Sequence, residues 1–108
     1  MSDYPKHVKK KLHELKCEAH ERELARELTA LAAKFDEWKA GHIDAGELDH
    51  LIHQHHHGPS RVLYKFYNGG DNGFKVAHAI VEGILKEDEI PEDVWLHIED
   101  KVKFLRRE

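Results

Sequence analysis

The sequence predicts an all-α protein, a small bundle of four to five helices with a long N-terminal helix and short connecting loops. Three observations carry that expectation. Apolar residues recur at three- and four-residue spacing through most of the chain, as they do along one face of a helix. No run alternates apolar with polar residues or concentrates β-branched ones, as strands do. The one Asn-Gly pair, Asn72–Gly73, lacks the alternating flanks that would make it a hairpin. At 108 residues, 40% hydrophobic and 35% charged, the chain has the size of one ordinary domain, 1–108, with a modest core.

Pro5 suits a first-turn position and opens the first helix, which runs towards Lys39 before Ala40-Gly41-His42. This helix carries two stripes. Val8, Leu12, Leu15 and Ala19 share one face, whereas Leu24, Leu28, Leu31, Phe35 and Trp38 fall on nearly the opposite side at ~100° per residue. Neither Gly nor Pro lies near His20–Glu23, so the helix is expected to run through the switch and to reach roughly 50 Å. Its N-terminal stripe then needs a partner. A second subunit is the simplest one, which predicts a homodimer.

A second helix is expected from Asp44 to His57, with Ile43 as a staple residue, Asp44 as N-cap and Glu47 completing an acidic capping box. Its apolar face is Leu48, Leu51, Ile52 and His55, and Gly58-Pro59 ends it. Ser60 is placed to cap a short third helix over 61–68, closed by Gly69-Gly70. The fourth, Phe74 to Lys86, should be the most buried, through Val76, Ala77, Ile80, Val81, Ile84 and Leu85. Pro91 begins a fifth that buries Val94, Trp95, Ile98, Val102 and Leu105. It ends on Arg106 and Arg107, which suit the negative end of the helix dipole.

Chemistry concentrates in HLIHQHHH, His50 to His57, which holds five of the chain's 11 histidines. On a helix His50, His53 and His57 lie opposite the apolar face, His55 within it and His56 at its edge. His53 and His57, four apart, can present two imidazoles to one ion, and His50 adds a third a turn earlier. Glu47 and His50 form one Glu-x-x-His unit, the building block of di-iron carboxylate bundles, which need two. The predicted ligand set is therefore Glu47, His50, His53 and His57 around a divalent transition metal (zinc, nickel or iron), completed from another helix or subunit. No organic cofactor is expected. His13, Cys17 and His20 also share a face at ligand spacing, but Cys17 is expected to pack as a small hydrophobe.

Two further motifs fall short. The segment Phe35 to Ile52 resembles a calcium-binding EF-hand at Asp36, Gly41, Ile43, Asp44 and Glu47. Trp38 and Ala40 stand where that loop needs oxygen ligands, which argues against calcium. The glycine-rich stretch Tyr67 to His78 lacks the Gly-Lys-Ser/Thr ending of a phosphate-binding loop and reads as a helix C-cap followed by a loop.

The formal net charge of −4 argues against a nucleic-acid partner, and the basic cluster Lys6 to Lys11 reads as a solvated helix start. A single cysteine forms no intramolecular disulfide, the opening residues lack the apolar region of a signal peptide, and Val76–Val81 is too short to span a bilayer. A cytoplasmic protein without a membrane partner is expected. Non-catalytic metal binding ranks first. A protein-interaction module dimerising through the first helix is the alternative. Third comes a small enzyme with histidine as general acid or base and Glu47, Asp49, Arg61 and Tyr64 as partners. Cys17 has no oxyanion device beside it, and Ser60 is better explained as a cap than as a nucleophile.

Overall fold

The computed structural model describes residues 4–107. The chain is all-helical, without a strand among the described residues. Helix α1 (Lys6–Lys39) leads by a tight turn into α2 (Ala45–His55). A wide π turn (His56–Ser60) joins α2 to α3 (Arg61–Tyr67), and α4 (Asn72–Val81) and α5 (Glu92–Arg106) follow, with one 3₁₀ turn (Glu87–Glu89) between them.

α1 is continuous through the change of stripe, and its 34 residues set the 53 Å long axis of a molecule only 25 Å and 23 Å across. The two stripes have different partners, as their opposite placement requires. The partner of the N-terminal stripe, however, is not a second subunit. Val8, Leu12, Leu15 and Ala19 are buried in one core with Val76, Ala77 and Ile80 of α4 and Val94, Ile98 and Val102 of α5. The chain's own C-terminal half folds back over that stripe, so the argument for a dimer at this position falls.

The uncovered half is the other one. Every buried residue of α1 lies between Val8 and Ala19, and α2 buries only Leu48. Leu28 and Trp38 are exposed, at 48% and 41%. Fully burying an aliphatic side chain contributes about 1.5–3 kcal/mol, so stability is concentrated where α1 meets α4 and α5. Beyond Leu24, α1 and α2 form an antiparallel arm with little beneath it.

One device ends both α1 and α4. Gly41 (φ 81°) and Gly83 (φ 76°) adopt the left-handed conformation that glycine enters without steric cost. The Gly41 N–H donates to Trp38 O and the His42 N–H to Glu37 O; Gly83 and Ile84 repeat the pattern onto Ile80 O and Ala79 O. α4 therefore stops at Val81, well before the expected Lys86, and the turn tucks Ile84 and Leu85 into the core. It also starts at Asn72 rather than Phe74, because the Asp71 carboxylate accepts from the Gly73 N–H at 3.1 Å.

Arg22 then clamps the α4–α5 connection to α1. Its guanidinium donates to Ile84 O (2.9 Å) and to both carboxylate oxygens of Glu89 (2.9 and 2.6 Å). Between the ends of the bundle, the His7 imidazole lies 3.0 Å from the Asp93 carboxylate.

Candidate functional site

The predicted capping box forms. Asp44 accepts from the Glu47 N–H (2.7 Å), and Glu47 accepts from the Asp44 N–H (3.2 Å). That success weakens the predicted metal set, because the Glu47 carboxylate is committed to the start of α2. The rise of the helix separates Glu47 from His57 by ~15 Å. Among the described residues no group of three or more His, Cys, Asp or Glu side chains is arranged to hold a metal. Of Glu47, His50, His53 and His57, only His53 and His57 come together, with ring centroids 4.3 Å apart at 51°. His50 is exposed on the same helix one turn before His53.

Gly58-Pro59 does not end the helix, and Ser60 does not cap a new one. Ser60 has helical backbone angles (φ −59°, ψ −47°) and makes no side-chain cap bond. The reason lies in proline. Within an α-helix its ring strikes the carbonyl four residues back and its missing N–H breaks a bond. Widening one turn to the π form relieves both and keeps the chain helical. His56, His57, Ser60, Arg61 and Tyr64 consequently face one way and line a cleft of about 270 Å³.

The electrostatics of that cleft are one-sided. The His57 imidazole is held below its ordinary pKa, first by repulsion from His53, then by partial desolvation, then by His56 and Arg61. Among the described residues, no carboxylate pairs with Arg61 or with any histidine from His50 to His57. Neither Glu47 nor Asp49 orients an imidazole, so the acid–base arrangement considered from the sequence is not assembled there. Asp36, Asp44 and Glu47 are likewise parts of a helix, a cap and a capping box rather than a calcium loop.

A second surface lies on the arm. Ala30 and Leu31 of α1 face Leu51 of α2 and Pro59 across a shallow groove of about 210 Å³, with Glu27 and Lys34 at its rim. Lys34 also pairs with Glu37 (3.0 Å).

The third face examined in the sequence does not form a ligand trio. Cys17 is exposed rather than packed, and its sulfur lies 3.6 Å from His13 Nε2. His20 turns away and stacks on Tyr67, with ring centroids 5.2 Å apart at 15°. The buried Tyr67 hydroxyl donates to the Glu23 carboxylate, and burial followed by that bond pushes its pKa up, so the phenol keeps its proton. Neither this cluster nor the Arg22–Glu89 clamp was expected, because each joins residues remote in sequence with no local motif to announce them.

With this geometry in hand, comparison with known proteins adds nothing: no family model matches the chain, and no curated protein or solved structure is significantly similar to it. Among the described residues no helix is long and apolar enough to cross a membrane.

Proposed function

We propose that the protein is a non-catalytic interaction module whose α1–α2 arm joins a second copy of the chain. The observation that supports this reading is the uncovered arm groove. A two-helix hairpin has one shared face and leaves its flanks to water, and here those flanks include Leu28, Leu31, Trp38 and Leu51. Charge at the rim favours a second copy as the occupant. Glu27 and Lys34 stand two turns apart on either side of Ala30 and Leu31. A two-fold antiparallel pairing centred there sets each Glu27 opposite Lys34 of the other copy, the self-complementarity an isologous interface requires. Light scattering across a micromolar concentration series tests it. The wild type should approach twice the monomer mass and Leu31→Glu should stay monomeric with unchanged helicity. A wild type that remains monomeric throughout rejects the reading.

One observation favours a second reading. The His53 and His57 rings, 4.3 Å apart and solvent-exposed, are close enough for two imidazole nitrogens to share one divalent ion. Zinc or nickel suits such a pair better than iron, since the carboxylate that iron favours belongs to Glu47 in its cap. Two ligands are half a site, and a second copy is the simplest source of the remainder. Metal that survives dialysis of tag-free protein, and disappears in His53→Ala/His57→Ala, supports it. No retained metal and a melting temperature indifferent to zinc reject it. The exposed Cys17 thiol suits a reducing compartment, and the cytoplasm is the proposed location.

A further inference from the structure

We propose that the cleft between the π turn and α3 binds the phosphate group of a small phosphomonoester, held by Arg61, His56 and His57 with the Ser60 and Tyr64 hydroxyls. This goes beyond the self-association reading and does not depend on it.

The positions 56, 57, 60, 61 and 64 are spaced to share one helical face, and the structure places them around one cleft. Each side chain there can donate hydrogen bonds, and none is acidic. The Arg61 guanidinium offers the planar fork that matches two phosphate oxygens, and it has no ion-pair partner among the described residues. The His56 and His57 imidazoles add N–H donors. The Ser60 and Tyr64 hydroxyls donate at any physiological pH. Tyr64, 62% exposed, also leaves a ring face free for whatever the phosphate carries.

The groups that surround His57 explain why an anion is wanted. From α2 it faces His53, from its own turn His56, and from α3 Arg61, all cationic or able to become so. On α1, Glu23 and Glu27 line a groove with Arg26 and Pro59, and Pro59 lies about half a turn round the helix from His57. They do not neutralise the cleft.

The test is a nuclear magnetic resonance titration with inorganic phosphate and with phenyl phosphate, each with and without EDTA, against chloride of equal ionic strength. Saturable shifts should centre on His57 and Arg61. Phenyl phosphate should bind more tightly than inorganic phosphate if the ester is the natural form, whereas equal affinities would make free phosphate the ligand. Arg61→Gln, at an exposed position that folding does not need, should weaken binding about tenfold or more. Shifts matched by chloride, an Arg61→Gln protein that binds like the wild type, or binding abolished by EDTA would each overturn the proposal, the last by showing that a metal bridges the phosphate.

Discussion

At the scale of single residues, His57 shows how an exposed side chain acquires unusual chemistry from its neighbours alone. His53, His56 and Arg61 disfavour its proton, and its pKa lies below the ordinary 6.5. The unfolded chain lacks these neighbours and binds a proton first as pH falls. In the window between the folded pKa and about 6.5 the unfolded state therefore holds more protons, and stability declines as pH falls through it. Replacing His53 with Gln should raise the His57 pKa and flatten that slope. Ring-proton titration measures both, and a His57 pKa unmoved by the substitution would show that His53 is not the cause. Gly73 is a different case, a helical glycine fixed by lack of space. A Cβ there would run into the Tyr4 phenol and come within 3.4 Å of Ile98 Cγ2. Gly73→Ala should cost about 1–3 kcal/mol by overpacking, and much less in a Tyr4→Ala background. Equal costs in the two backgrounds, read by urea unfolding, would clear Tyr4. The capping box of Asp44 and Glu47 was legible in the sequence because its partners are three residues apart. The reason for Gly73 was not, since it comes from Tyr4 and Ile98, remote along the chain. The same division runs through the histidines: the i, i+4 pair His53 and His57 could be read from spacing, but the failure of Glu47 and His50 to join them depends on geometry along the whole helix.

Among the elements, boundaries were harder to read than existence. The sequence pattern located each helix, yet Gly83, within the span expected to be the fourth helix, proved to be the terminator of α4. Pro59 looked like a terminator and proved to be absorbed by a π turn. Both outcomes follow from what the core demands next: Ile84 and Leu85 must fold back, and α3 must continue from α2 to bring Tyr67 beneath α1. Arg22 secures this arrangement. Its hydrogen bonds, with help from the Lys86 N–H, hold the Glu89 carboxylate down at about 2, against 4.5 for an ordinary glutamate. A depressed carboxylate stabilises the fold above its unfolded pKa and loses that contribution as pH drops from about 4.5 towards 2. The pair is partly exposed, so its worth is discounted to about 1 kcal/mol. Glu89→Gln should lose that amount at pH 7 and little at about pH 2, where the wild type has lost it already. Denaturation at the two pH values compares them, and a variant equally destabilised at both would assign the effect to packing rather than charge.

Across the whole molecule, one helix belongs to two environments. The first half of α1 is embedded with α4 and α5, while its second half packs against α2, the π turn and α3. The two opposed stripes announced this division in the sequence, but which of them lacked a partner depended on how the later helices folded back. The structural consequence is an uneven distribution of stability along a single continuous rod. Two-helix hairpins are marginal alone, since helical stability comes mostly from packing of an apolar face. The arm is held by covalent continuity with the core and by its own thin seam. Amides over 12–19 of α1 and along α5 should therefore exchange only on global unfolding, and those over 28–39 and in α2 through local opening several kcal/mol cheaper. Raising the protein concentration should slow exchange in the arm alone if a second copy covers the groove, because association protects only the surface it buries. Leu31→Glu should abolish that dependence and leave the core amides unchanged. Uniform protection along all of α1 would instead mean that the arm is stable without a partner, and the exposed Leu28 and Trp38 would lose their significance as a docking surface.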